Sequence, residues 1–192
     1  MPAPQPEALR FLQTRRSHPA KTLSAPAPTR AELEPLLSAA LRVPDHGKLE
    51  PWRLIVLARP ALVALTDAAT ARAAAAGMPA EQAAKGIDQF AKSPLTVAVI
   101  FSPKASDKTP EVEQLLSAGA VALSLLNAAL AAGWGAAWLS GWPAYDAVFR
   151  RDALGLSESE RVVGFVHIGT APGPSPERPR PDVAALTEWR GF

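Results

Sequence analysis

The sequence contains no cysteine, and this absence excludes three kinds of chemistry. The chain can form no disulfide, offers no thiol nucleophile and has no thiolate ligand for a metal. An excess of one charge is also lacking, because 20 Lys and Arg residues stand against 18 Asp and Glu residues. A net charge of +2 is too small to indicate a nucleic-acid-binding surface, so we expect no nucleic-acid partner.

Two further absences concern membranes and secretion. The sequence has no run of about 18 uncharged apolar residues, the length that a membrane span needs. Its most apolar segment, Leu115 to Leu139, is interrupted by Ser, Asn and Gly. The first residues, MPAPQPEALRFL, lack the basic head and the continuous apolar stretch of a signal peptide. We therefore expect a soluble, cytoplasmic protein with no membrane partner.

Common catalytic motifs are missing as well. The sequence has no G-x-S-x-G, no P-loop, no H-E-x-x-H and no G-x-G-x-x-G. The three histidines, His18, His46 and His167, are too far apart to form a ligand pair, so we expect no metal site. His167 lies in an apolar run, where a hydrogen-bonded strand residue is the favoured interpretation.

Apolar residues make up 48% of the sequence, which is enough to form a buried core. The length of 192 residues suits one domain. Four apolar runs predict strands, at Trp52–Ala58, Leu95–Phe101, Gly135–Ser140 and Val162–Gly169. Helical patterns separate them, so the fold class is α/β or α+β. We expect one domain over residues 1–192, with its core at about 7–172. The proline-rich tail, 173–192, should wrap over its own chain or a partner.

Several helix boundaries can be predicted from local signals. Thr29 and Glu32 form a capping-box pattern, although Pro35 favours a kink or a later start. A further helix is expected at Pro143–Leu154. The longest, Glu111–Ala132, is apolar and rich in small residues, which indicates either the central helix of the domain or a dimer interface.

Three clusters are candidates for binding. Arg15-Arg16-Ser17 fits a phosphate clamp, while two cations at a helix C-terminus are the simpler alternative. Residues 42–53 form a polar loop that contains Arg42 and His46, and an ordinary helix–strand connector would also explain it. Residues 133–142 combine three Trp with three Gly, which suits either a planar ligand or a core-packing turn.

Taken in order, these clusters resemble the FMN-dependent nitroreductase family, in particular its short bacterial branch. The resemblance is carried by RRS at 15–17, RVPDHGKLEPW at 42–52, GWGAAWLSG at 133–141 and VVGFVHIGTAP at 162–172. It covers roughly residues 7 to 172. Each block alone is a weak motif, whereas their order and spacing together identify the family.

The resemblance implies an α+β, nitroreductase-like fold with a mixed central sheet flanked by helices. It also implies an intertwined homodimer with two FMN molecules at the interface. Arg15, Arg16 and Ser17 match the segment that holds the phosphate end of FMN. Trp138, Leu139 and Ser140 match the loop along the flavin ring. Arg42 and His46 match positions that reach FMN from the partner chain, and no side chain is implied to be catalytic because FMN carries the chemistry.

The branch also implies NAD(P)H contacts at the end of the long helix, at Ala128, Ala129, Leu130, Ala131, Ala132 and Gly133. A helix C-terminus is electrostatically unfavourable for phosphate, which argues against that assignment. The chain departs from the family pattern at two positions. Glu50 stands where many members have Gln, and Lys21 stands later than the basic residue that often follows RRS.

The predicted function is an FMN-dependent NAD(P)H oxidoreductase of the nitroreductase type. Hydride would pass from NAD(P)H to FMN and then to a planar acceptor such as a nitroaromatic or a quinone. The alternatives are another flavin reaction on the same scaffold (dehydrogenation or dehalogenation), a non-catalytic flavin-binding protein, or a hydrolase using Ser140 or His46. A bound yellow chromophore separates the flavin-based functions from the hydrolase.

Overall fold

The structure is a computed structural model that describes residues 3–191. Within these residues the helices are α1 (Pro6–Thr14), α2 (Arg30–Ala40), α3 (Arg59–Ala75), α4 (Ala80–Ala91), α5 (Glu111–Ala131), α6 (Ala147–Leu154) and α7 (Val183–Leu186). The strands are β1 (Trp52–Ala58), β2 (Leu95–Phe101), β3 (Gly135–Leu139) and β4 (Arg161–Gly169). The four predicted strands are confirmed, each to within one residue at its ends.

The four strands form one sheet in the order β1-β2-β4-β3, and each neighbouring pair is antiparallel. The α+β class is therefore confirmed, whereas the expected mixed sheet is wrong for the described residues. Local hydrophobic patterns set where a strand lies, but the direction of pairing depends on how the connecting helices return the chain.

Helices cover both faces of this sheet. On one face, α2 and α5 pack against β2 and β4 through buried residues such as Leu33, Val97 and Leu125. On the other face, α3, α4 and α6 enclose an aromatic cluster in which Phe90 meets Phe165 edge-to-face, with ring centroids 5.1 Å apart. All seven residues of β2 are buried, as its uninterrupted apolar run predicts.

Two helix starts can be compared with the sequence-based expectation. The capping box at Thr29 and Glu32 is confirmed and α2 begins at Arg30, so of the two effects expected from Pro35, a kink or a later start, the later start is wrong. The helix expected from Pro143 begins only at Ala147, after a 3₁₀ turn. Asp146 fixes this later start, because its carboxylate accepts the Phe149 N–H at 2.7 Å and forms a salt bridge with Arg72.

Helix α5 has one buried face and one exposed face. By length and a mean hydropathy of 1.6 it could cross a membrane, but 44% of the apolar window is buried inside the protein. It packs on the sheet through residues that include Ala118, Val121 and Leu125. This packing is that of a core helix, and its remaining apolar face is exposed.

His167 is a fully buried strand residue. Its Nδ1 lies 2.9 Å from the Thr96 hydroxyl, in agreement with the hydrogen-bonded strand residue that the sequence indicates. Burial lowers the pKa of His167 to about 4, because the charged form loses its hydration. The ring is therefore neutral at neutral pH.

Candidate functional site

The Arg15-Arg16-Ser17 segment lies beside β3. It follows α1 directly, and the next backbone N–H, that of His18, donates to the Ala136 carbonyl at 2.9 Å. Arg15 Nη2 donates to Ser17 Oγ at 3.0 Å, which orients the guanidinium and the hydroxyl toward each other. The sequence therefore places this cationic segment along an edge of the sheet.

A cavity of about 510 Å³, which we call the arginine cavity, opens at this segment. Its lining includes all three residues of the segment and, from β3, Trp138 and Leu139. The C-terminal tail closes the other side with Arg178 and Arg180. Four arginines from two distant parts of the chain thus surround one cavity.

The tail is held against the segment by polar contacts. The Ser175 hydroxyl donates to the Ser17 carbonyl at 3.0 Å. Glu177 pairs with Arg16 at 3.5 Å and with Arg180 at 2.9 Å. Residues 175–180 of the tail therefore contact their own chain.

Arg178 and Arg180 are candidate site residues that were not predicted from the sequence. Both stand in the run PERPRP, where prolines alternate with charged residues. This pair of cations in an extended, proline-stiffened tail is the signal that could have identified them. Their position beside Arg15 depends on a contact between opposite ends of the chain, which no local pattern encodes.

The electrostatics of the arginine cavity favour an anion. The pKa of Arg15 is lowered by burial first and then by the neighbouring charges of Arg180 and Arg16. Among residues 3–191, the buried Nε atoms of Arg15 and Arg16 have no hydrogen-bond partner. One carboxylate, Glu177, pairs with these cations. A phosphate would relieve the repulsion and supply acceptors for the unsatisfied donors.

A second cavity, of about 610 Å³, adjoins the first, and we call it the ring cavity. Its lining is Trp138, Leu139, Ser140 and Gly141 together with Lys85 and Gln89 of α4. Trp138 and Leu139 line both cavities, so the two meet at β3. Trp138 rests on Gly164, where a Cβ atom would come within 1.8 Å of its Nε1. This close approach holds the indole against the sheet.

Lys85 and Gln89 were also not predicted from the sequence. They are four residues apart and so share one face of α4, but neither stands out in the sequence. Gln89 is buried, and its Nε2 donates to the Ser140 carbonyl at 3.2 Å. Gly141 follows with a φ of 70° and a ψ of −177°, a conformation that a side chain would strain. These features fix the Ser140–Gly141 turn at the end of β3.

The loop with Arg42 and His46 lies elsewhere, beside α5, and neither residue lines the arginine or the ring cavity. His46 Nδ1 is 2.7 Å from the Glu113 carboxylate on α5, and the Ser117 hydroxyl donates to the Pro44 carbonyl.

The same loop has an unusual backbone. Lys48 and Glu50 both have positive φ, at 53° and 48°, although neither is glycine. The Asp45 carboxylate accepts the Glu50 N–H at 2.8 Å and supports this conformation. Strained backbone of this kind persists only where its surroundings hold it, and it concentrates at functional sites.

The segment from Ala128 to Gly133 forms the C-terminal end of α5 and the turn after it. Gly133 has a φ of 86°, and its N–H donates to the Leu130 carbonyl at 3.1 Å, as expected for a helix cap. No residue of this segment lines the arginine or the ring cavity. Lys21, in the 3₁₀ turn after the RRS segment, does not line them either.

The fold and sequence match known proteins. A family profile described as "Nitroreductase family" matches residues 12–170. Proteins named "Putative NAD(P)H nitroreductase", from Escherichia coli strain K12 and Haemophilus influenzae, are 34% and 37% identical over 164 and 167 residues. In each case the match covers 85% of this chain and 88% of the relative.

Solved structures share the fold. A nitroreductase-like protein from Bacillus cereus superposes with a TM-score of 0.81 at 24% identity, covering 100% of both chains. The FMN and NADPH-dependent nitroreductase NfnB from Sphigopyxis sp. strain HMH gives a TM-score of 0.72 at 21% identity, covering 96% of this chain and 99% of that one. Because the family profile matches most of this chain and two relatives are more than 30% identical to it, the chain belongs to the nitroreductase family.

Proposed function

We propose that this protein is an FMN-dependent NAD(P)H oxidoreductase that reduces planar acceptors such as nitroaromatics or quinones. Membership of the nitroreductase family makes it an oxidoreductase. Relatives named NAD(P)H nitroreductases support NAD(P)H as the co-substrate, and the FMN-dependent nitroreductase NfnB, which shares the fold, supports FMN as the cofactor. The names of the relatives do not fix the acceptor, so support for a planar acceptor comes from the site itself.

The observation that carries this function is the pair of adjoining cavities along β3. FMN is a planar ring joined to a phosphate by a flexible chain. Its binding site therefore needs a cationic region for the phosphate and a flat apolar region for the ring. The arginine cavity supplies four guanidinium groups, and the ring cavity supplies the indole of Trp138 beside the Leu139 side chain. The unpartnered Nε atoms of Arg15 and Arg16 are further donors for the phosphate end.

The chain's own residues have distinct roles in this proposal. Arg15, Arg16 and Arg180 bind and orient the phosphate, with the Ser17 hydroxyl as a further donor. Trp138 and Leu139 exclude water from one side of the ring. These residues would hold FMN, which would supply hydride transfer from NAD(P)H to the acceptor, so the protein needs no acid–base pair of its own. The open ring cavity suits a range of flat acceptors.

We further propose that the protein works as a homodimer through α5. Val112, Leu116 and Leu123 are exposed along one face of α5, in line with Gly119, whose Cα faces open space. Helix α1 has no buried residue and exposes Leu9 and Leu12. Exposed apolar residues on these two helices favour an interface, and an obligate one buries roughly 2,000 Å² or more.

The hydrolase alternative lacks geometric support. Ser140 lines the ring cavity, whereas His46 lies beside α5 and contacts Glu113. Among the described residues, no hydrogen bond joins these two side chains, so they do not form a nucleophile–base pair.

The experiment that tests the proposed function is an anaerobic titration of the FMN-loaded protein with NADH and with NADPH. We expect the flavin absorbance to bleach and to return when a quinone or a nitroaromatic is added, because both half-reactions occur at one site. An FMN-loaded protein that neither nicotinamide bleaches, although dithionite does, would contradict enzymatic function and support the non-catalytic flavin-binding alternative.

A further inference from the structure

A third cavity, of about 800 Å³, lies next to the ring cavity, and we call it the outer cavity. Its walls are the turn before α4 with Met78, the first half of α4, and the segment between β3 and α6 with Trp142 and Tyr145. Lys85 and Gly141 line both the outer and the ring cavity, so the two meet at the end of β3. The outer cavity is therefore placed to receive the part of a ligand that extends beyond the ring cavity.

Two aromatic side chains of the outer cavity differ in how firmly they are held. Trp142 packs closely on α4, since a Cβ atom at Gly86 would lie 2.0 Å from its Nε1. Its ring also meets Phe149 edge-to-face, with centroids 5.5 Å apart. Tyr145, by contrast, has 70% of its surface exposed. Trp142 is thus a fixed wall, whereas Tyr145 offers its ring to a ligand, as aromatic side chains in small-molecule sites commonly do.

The charges in the outer cavity are paired within the protein. Glu81 forms a salt bridge with Lys85 at 2.7 Å, and Asp146 forms one with Arg72 at 2.8 Å. The hydrogen bond from Arg72 is the main cause that lowers the pKa of Asp146, so this carboxylate is ionised at neutral pH. The lining contains two carboxylates and one ammonium group. This balance disfavours the phosphates of a nicotinamide nucleotide and favours an uncharged ligand.

We propose that the outer cavity is an acceptor subsite, which binds an uncharged second aromatic ring that the acceptor carries beside the ring that is reduced. The proposal rests on the proposed function, since it assumes that reduction takes place in the ring cavity. Tyr145 is then a specificity-determining residue that stacks on the second ring, opposite the fixed wall of Trp142. The protein should therefore favour acceptors with two rings over acceptors of the same kind with one.

The test compares 2-phenyl-1,4-benzoquinone with 2-methyl-1,4-benzoquinone as acceptors for the wild type and Tyr145→Ala. Each quinone is compared with itself in the two proteins, so differences in intrinsic reactivity cancel. Tyr145→Ala should lower kcat/KM for the phenyl quinone about 2- to 12-fold, the range for one aromatic contact, mainly by raising KM. The methyl quinone should be unaffected. Tyr145→Phe keeps the ring and should behave as wild type, as should Val63→Ala, a partly exposed apolar residue on α3.

A binding measurement makes the test independent of turnover. Phenylhydroquinone and methylhydroquinone are the reduced forms of the two acceptors, and oxidised flavin does not consume them. Their Kd values for the FMN-loaded proteins follow from the change in flavin absorbance. Tyr145→Ala should raise the Kd of phenylhydroquinone by the same 2- to 12-fold factor and leave that of methylhydroquinone unchanged.

Two results would overturn this assignment. The first is a Tyr145→Ala protein in which both quinones, or neither, lose kcat/KM. The second is a raised KM for NADH or NADPH with unchanged use of the phenyl quinone, which would give the outer cavity to the nicotinamide nucleotide. A wild-type protein whose FMN is reduced by neither nicotinamide, or reoxidised by neither quinone, would instead reject the proposed function.

Discussion

FMN should bind roughly 10- to 150-fold more weakly when Arg15 is replaced with alanine, while riboflavin binding should hardly change. The expected loss is about 1.5–3 kcal/mol, the scale of a charge-assisted hydrogen bond. Arg15 lines the arginine cavity and is crowded by Arg180 and Arg16, so it should contact the phosphate, which riboflavin lacks. Titration of the apoprotein with each flavin, followed by fluorescence quenching, measures both affinities.

The tail provides a second variant and a control for this measurement. Arg180→Ala should also weaken FMN more than riboflavin, because Arg180 lines the same cavity. Arg190→Ala should have no effect, since this exposed tail arginine pairs with Glu188 away from the cavity. Equal losses for FMN and riboflavin in Arg15→Ala would mean that Arg15 does not bind the phosphate.

Activity should recover when two inactive variants are combined in one dimer. The first variant carries Arg15→Ala, and the second carries Arg42→Ala and His46→Ala. The loop with Arg42 and His46 lies beside α5, whereas the arginine cavity lies at β3, so we expect a dimer through α5 to join them across the interface. One FMN site of the heterodimer then contains all three substitutions, and the other site contains none. Activity near half of wild type follows from the two-fold symmetry.

The heterodimer has to be isolated for this comparison, with a different affinity tag on each chain. Each homodimer should be much less active than the wild type at an FMN concentration close to the wild-type Kd. A purified heterodimer that stays as inactive as the homodimers, or a protein that runs as an FMN-loaded monomer, would contradict the shared-site arrangement.

The strands and the core were predictable from the sequence because buried strands appear in it as runs of apolar residues. The run Leu95–Phe101 is apolar throughout, and all seven residues are buried in β2. No pattern in the sequence indicates whether neighbouring strands pair parallel or antiparallel. The direction of pairing follows from how α3 and α4 return the chain from β1 to β2, which is why the sheet is antiparallel and not mixed. The start of α6 was missed for a related reason, since Asp146 is fixed by Arg72, 74 residues away.

Part of the candidate site could be predicted from the sequence and part could not, and the difference is sequence distance. The RRS segment and the Trp138–Ser140 segment are unusual in composition, and the structure brings them together at the arginine cavity and the ring cavity beside it. Arg178, Arg180, Lys85 and Gln89 reach these cavities only through tertiary contacts. The roles of Arg42, His46 and residues 128–133 stay predictions, and the heterodimer experiment tests the first two.

The most direct test of the central claim is a titration of the purified protein with FMN and with FAD, followed by the absorption spectrum. We expect a protein that purifies yellow or takes up one FMN per chain, because the arginine cavity and the ring cavity together match its phosphate and its ring. FAD should bind poorly, since the two cavities provide no separate place for an adenylate group. A colourless protein that takes up no FMN would contradict the account.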